Sequence, residues 1–232
     1  MLRVFAAIFI GVISFSRLAC AHDKFDSVAL VRQADLVLNQ YLSQPDQAMS
    51  AARQLLASSI EQQSTYFQGY AYYLLAKSNW SVGNLGSSAE FAFKALRTLE
   101  HTSYKPLMGE VLIVMARTLT ELRNFKEADQ LLAQAEELSV AIGSNTLKAG
   151  VYRERSMLQI ERKDYRGAIA SADVGLAIYE AAGDTLDASV LYGRKAKAYC
   201  ALGEFDKSTY FNDRSIYLDA LVGNKRGLGI QY

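Results

Sequence analysis

Residues 121–144 read ELRNFKEADQLLAQAEELSVAIGS, and residues 161–184 read ERKDYRGAIASADVGLAIYEAAGD. Aligned without a gap, both begin with glutamate. Both then carry an aromatic fifth, an alanine eighth and a glycine twenty-third. The offset of 40 residues extends along the chain. Stepping by 40 from the aromatic gives Pro45, Leu85, Phe125, Tyr165 and Phe205. Three residues later stand Ala48, Ser88, Ala128, Ala168 and Ser208, all small. Seven later stand Ala52, Ala92, Leu132, Ala172 and Asn212, and ten later Leu55, Ala95, Ala135, Gly175 and Ser215. Upstream, Tyr72, Leu112, Tyr152 and Tyr192 recur, each followed four residues on by Ala76, Ala116, Ser156 or Ala196. Several columns holding one phase over four or five copies mark an internal repeat.

Each repeat is expected to be two helices. Val111, Met115 and Leu119 share one face of a first helix, A. Phe125, Ala128, Leu132, Ala135 and Leu138 share one face of a second, B. Short polar breaks separate them at 82–84, 123–124, 163–164 and 203–204. Gly143, Gly183 and Gly223 mark the ends of B helices, where a left-handed residue is best supplied without a Cβ. Pro106 suits a helix start. Small residues let two antiparallel helices approach closely, and the aromatic at the start of helix B fills the gap below the turn. One pair cannot bury both its faces, so the pairs are expected to stack as a right-handed superhelical solenoid. The repeats are placed at about 28–65, 66–104, 105–144, 145–184 and 185–224, with 225–232 opening a further helix. The first is degenerate, with Leu36 in the small slot.

The pattern resembles the tetratricopeptide repeat (TPR) family. Tyr72, Leu75, Ala76, Leu85, Ser88, Ala92 and Ala95 match its large–leucine–small and aromatic–alanine–alanine slots. So do Leu112, Met115, Ala116, Phe125, Ala128 and Ala135, then Tyr152, Ser156, Tyr165, Ala168 and Ala172, then Tyr192, Ala196, Tyr199, Gly203, Phe205 and Ser208. Arg155 and Lys195 stand where the family prefers leucine, the closing proline is missing, and the period is longer than the usual ~34 residues. The resemblance covers roughly residues 28–232. It implies an all-α fold and a protein-binding role.

The first 21 residues, MLRVFAAIFIGVISFSRLACA, differ from the rest. Arg3 precedes an apolar run from Val4 to Phe15, and Ala19-Cys20-Ala21 forms a small-x-small end. This is the layout of a secretory signal peptide, and the run is short of the ~20 residues of a membrane span. Export to a bacterial periplasm is expected. Lipid attachment at Cys20 is the weaker reading, because Arg17 stands where such signals usually carry leucine. Cleavage after Ala21 removes Arg3 and Arg17 and no acid, so 25 basic and 24 acidic residues become 23 and 24, and +1 becomes −1. A near-neutral chain exerts no global pull on nucleic acid. Cys200 then remains alone, so no intrachain disulfide is expected.

Catalytic, metal and cofactor motifs are missing from this reading. His22 and His101 neighbour no nucleophile or metal spacing, and residues 83–91 lack a phosphate-loop lysine. The chain is expected not to be an enzyme. In TPR-like arrays the A helices line a concave groove. In this frame Lys77, Arg117, Met157 and Lys197 form one column, with Tyr73 and Arg153 a turn earlier and Tyr70 and Trp80 at either end. A broken basic ladder of Lys77, Arg117, Arg153 and Lys197, with Tyr70, Tyr73 and Trp80 at one end, would suit a peptide carrying acidic groups. The alternative is a sensory input domain, because exported TPR arrays resemble the sensory regions of histidine kinases and diguanylate cyclases.

Overall fold

The computed structural model of the chain describes residues 27–223. The expected signal peptide at 1–21 and the helix start at 225–232 lie outside them. Ten α-helices follow one another: α1 Ser27–Gln40, α2 Pro45–Glu61, α3 Thr65–Ser81, α4 Leu85–Leu99, α5 Lys105–Glu121, α6 Phe125–Ala141, α7 Asn145–Glu161, α8 Tyr165–Ala182, α9 Thr185–Ala201 and α10 Phe205–Val222. The chain divides into two compact units, the first ending at Tyr104 and the second beginning at Lys105. Odd-numbered helices occupy the A slots of the sequence frame and even-numbered helices the B slots.

Helix ends recur every 20 residues, and one motif builds nearly all of them. Gly83 and Gly203 end A helices at positive φ, as Arg123 and Lys163 do. Gln63, Gly143, Gly183 and Gly223 do the same at the ends of B helices. At Gly83 the amide donates to Trp80, and the next amide, Asn84, reaches back to Asn79. The same pair of bonds repeats after Leu119, Ser139, Gln159, Tyr179 and Tyr199. This is the Schellman closure, which satisfies the last carbonyls of a helix. The rhythm lapses at residue 103. There α4 stops at Leu99 and Thr102 bonds back to Leu99, immediately before the boundary between the two units. Polar residues open the next helix: Asn84 accepts from Ser87, Ser144 from Leu147, Asp164 from Gly167 and Asp184 from Asp187. Each such cap contributes about 1 kcal/mol.

The repeated small columns form the core. Ala48, Ala52, Ala76, Ala92, Ala95, Ala116, Ala128 and Ala135 are all fully enclosed. In the first unit a Cβ on Gly69 of α3 would lie 2.6 Å from Leu99 of α4. In the second, Gly109 of α5 would meet Leu147 of α7, and Gly175 of α8 would lie 2.7 Å from Leu191 of α9. These glycines set how near the helices come.

Two sequence expectations change. Leu36 does not take the inward small slot. The first helix buries Leu30, Ala34 and Val37 instead, at helical spacing, and turns Leu36 outward. The aromatic opening helix B is not a plug in every repeat. Tyr165 packs on Ile160, Ala168 and Ala198, whereas Phe205 is 66% exposed. Tyr165 is covered by α9, which follows it in sequence, and among the described residues no further helix follows Phe205.

Candidate functional site

The expected groove residues fall in both units, Tyr70, Tyr73, Lys77 and Trp80 in the first and Arg117, Arg153, Met157 and Lys197 in the second. In the first unit α3 carries a row of tyrosines at i, i+4 and i+7. Tyr66 stacks on Tyr70 at 5.9 Å, and Tyr70 on Tyr73 at 5.8 Å with ring planes 13° apart. Residues three and four apart share one helix face, which produces the row. Tyr104 closes one end against Tyr66, edge to face at 4.8 Å. At the other end Lys77 sets its ammonium 5.3 Å from the Tyr73 ring and 4.5 Å from that of Tyr41. Tyr41 is itself tied to α3, since the Ser81 hydroxyl donates to its carbonyl at 2.8 Å. Burial, and Tyr104 beside it, push the Tyr66 hydroxyl up to about 12, so Tyr66 stays neutral at any physiological pH. Tyr73 is buried, and Tyr70, Lys77 and Trp80 are half-buried.

In the second unit the expected cations do not stand unpaired. Glu154 on α7 is 1% exposed and accepts from three guanidinium groups. Arg117 of α5 and Arg153 of α7 both reach its Oε1, the latter at 2.8 Å. Arg194 of α9 lies 3.4 Å from Oε2 and also donates to the Arg153 carbonyl. Asp187 of α9 takes a further bond from Arg153. Burial alone would raise the Glu154 carboxyl. Arg117, Arg194 and Arg153 outweigh it and hold the group well below the usual carboxylate range. Burial also pulls at Arg153, but Asp187 and Glu154 keep it firmly protonated. Arg194 is pushed down, chiefly by burial, against Glu154 and with Arg153 and Arg117 adding repulsion. Lys197 is exposed and lies 3.4 Å from Glu161, and Met157 is half-buried on α7.

The basic ladder therefore needs restating. Arg117, Arg153 and Lys197 each have a carboxylate of their own chain. Lys77 has ring faces, and among the described residues no carboxylate pairs with it. The sequence frame missed Glu154, Asp187, Arg194, Tyr41, Tyr66 and Tyr104. A signal for two of them was present: one interior column reads Leu74, Val114, Glu154, Arg194, and turns from apolar to charged. The family departures are explained the same way. Arg155 meets Glu136 at 2.8 Å. Lys195 meets Asp173 at 2.6 Å and lays its ammonium 3.9 Å from the Phe211 ring.

Among the described residues no grouping of histidine, cysteine or carboxylates could hold a metal ion, and no helix is long and apolar enough to cross a membrane. The fold is TPR-like: an all-α repeat of antiparallel helix pairs. Solved structures are similar to it, among them the following three. BtubC (BKLC) from P. vanneervenii shares 24% identity at a TM-score of 0.65, over 91% of this chain and 88% of that one. A putative kinesin light chain from Podosopora anserina with nearly identical TPR-like repeats shares 16% at 0.59, over 85% and 97%. A signal-transduction ATPase with a tetratricopeptide repeat sensor, from Pyrococcus horikoshii, shares 15% at 0.62, over 91% of this chain and 36% of that one. No family model matches the sequence, and no curated protein matches it.

Proposed function

We propose that this chain is a non-enzymatic interaction module that seats a peptide segment of a partner protein on the A-helix face. The observation that carries this reading is the α3 row. Half-buried Tyr66 and Tyr70, with two rotatable side-chain angles and already stacked, offer contact area at little entropic cost, as binding hot spots do, with buried Tyr73 backing them. The row ends in Lys77, whose charge meets π faces instead of a carboxylate. An acidic group of the partner can take that ammonium without displacing a resident ion pair. This narrows the acidic preference to Lys77, because Arg117 and Arg153 are committed to Glu154 and Asp187. Export through residues 1–21 belongs to the same proposal and would place the partner in the cell envelope.

Site-specific photocrosslinking tests it. A photoreactive phenylalanine at Tyr70 should capture one discrete partner in the native envelope, and the same probe at exposed Val140 of α6 should not. Identical capture at both positions, or none at Tyr70, would contradict the reading.

A further inference from the structure

A cleft of about 280 Å3 opens where α8, the end of α9 and the start of α10 meet. Ile169, Ala170, Tyr199 and Leu202 form its apolar lining, and Arg166, Asp173, Glu204 and Lys207 its charged lining. The repeat does not require this composition. Forty residues earlier the slots of Ile169 and Leu202 hold Asp129 and Arg162, which pair across the junction at 3.7 Å. The slots of Tyr199 and Phe211 hold Gln159 and Ser171, which hydrogen-bond at 2.7 Å. Here the ion pair has become an apolar pair. The hydrogen bond has become a stack, Tyr199 on Phe211 at 5.4 Å with planes 8° apart.

Three of the four lining charges have partners. Asp173 takes Lys195 at 2.6 Å, and Glu204 takes Lys207 at 2.6 Å. Among the described residues no carboxylate pairs with Arg166. The hydrogen bond to Glu204 raises the Lys207 ammonium, and Arg166 opposes that rise, so the two cations sense each other. Neither cation serves its helix. Arg166 is the second residue of α8 and Lys207 the third of α10, where the helix dipole disfavours positive charge.

We infer that this cleft binds a small organic acid, a carboxylate carried on an apolar body. The Arg166 guanidinium offers the carboxylate two parallel hydrogen bonds. Lys207 keeps Glu204 and has ammonium protons left for the ligand. The helix starts that disfavour a cation favour the anion. Ile169, Leu202 and the edge of Tyr199 receive the apolar body. Asp173 also faces the cleft, but Lys195 neutralises it and is itself held 3.9 Å from the Phe211 ring. An inorganic anion would leave the apolar lining wet, and a neutral apolar compound would leave Arg166 unused. The site lies wholly in the second unit and does not depend on the α3 row.

Amide NMR of the purified protein, titrated with phenylacetate and with hexanoate to about 20 mM, tests this. At least one of the two acids should shift the amides of residues 166–173 and 199–207, with a Kd of about 1 mM. Phenylacetamide, the uncharged counterpart, and inorganic phosphate should each bind at least about tenfold more weakly. Arg166→Gln should weaken the acid by a similar factor, whereas Lys126→Gln, the equivalent cation one repeat earlier, should change nothing. Ile169→Asp with Leu202→Arg rebuilds the ion pair of the preceding junction and should abolish binding. If that double variant melts early, Arg166→Gln, at an exposed site, still decides. Amides that move with neither acid would overturn the inference. So would equal binding of phenylacetamide, or an affinity untouched by Arg166→Gln.

Discussion

Glu154 and Arg194 stand 40 residues apart and meet at 3.4 Å between α7 and α9, in the column that holds Leu74 and Val114 in earlier repeats. An interior slot that is apolar twice and then charged twice has exchanged hydrophobic packing for an ion network. Such a network is costly to break and can be replaced by an apolar pair with little loss.

Two variants separate those statements. Glu154→Leu removes the shared acceptor of three guanidinium groups and should cost about 3–5 kcal/mol. Adding Arg194→Leu restores the apolar column, and Arg153 keeps Asp187 as its partner. The double variant should recover at least about 2 kcal/mol of that loss in urea titration. A double variant as unstable as the single would mean that Arg194 stabilises the fold by its own bonds to Arg153 and Ser156.

Acid should find the same site. The folded carboxyl of Glu154 is held below its ordinary value of 4.5. Its contribution to stability is therefore fully present above that value and is lost as pH falls below it toward the folded value. Arg117, Arg153 and Arg194 face it, with Asp187 and Tyr179 next to them, and the arginines stay charged through this window. The wild type should lose stability more steeply below about pH 4.5 than Glu154→Gln does, as thermal melts across pH 3 to 6 would show. Parallel curves would place the acid-labile group elsewhere.

The turns offer a gain. Lys163 holds a left-handed conformation, φ 64°, in a Schellman closure where Gly83 and Gly203 stand in other repeats. A side chain there costs roughly 1–2 kcal/mol. Lys163→Gly should raise stability by about 1 kcal/mol, after allowance for the entropy glycine returns to the unfolded chain. Lys163→Ala, which keeps the Cβ, should gain nothing.

Close approach makes the opposite case. Leu99 fills the space over Gly69, which leaves 2.6 Å for an added Cβ. Gly69→Ala should cost about 1–3 kcal/mol by overpacking. Leu99→Val in the same chain should recover part of it, because the smaller side chain vacates that space. Additive losses would show that the glycine serves helix geometry instead of this contact.

The repeat was legible because its small residues are forced. Ala48, Ala92, Ala128 and Ala168 sit where two helices touch, so the phase survives in the sequence. The glycine stops at 143, 183 and 223 were legible for the same reason, since a left-handed turn selects against a Cβ. The breaks at 123–124 and 163–164 were legible from their polar residues, but the left-handed backbone of Arg123 and Lys163 was not, because no glycine marks it. The candidate site was half legible. Column arithmetic placed Tyr70, Tyr73 and Lys77 on one face of α3, and the structure stacks them. It could not tell a free cation from a paired one. Arg117 looks alike in sequence whether or not Glu154, 37 residues on, points at it. Tyr41 and Tyr104 were missed because they lie in turns, outside any helical period.

The α3 row is proposed to bind a partner's peptide. Isothermal titration of the peptide recovered by crosslinking at Tyr70 tests it most directly. Tyr70→Ala should weaken binding at least about tenfold, as the loss of a hot-spot tyrosine does. Lys77→Ala should weaken an acidic peptide by a similar factor and reduce its salt dependence, while Lys197→Ala leaves both unchanged. Affinity untouched by Tyr70→Ala and Lys77→Ala, in variants that keep the wild-type melting temperature, would contradict the account.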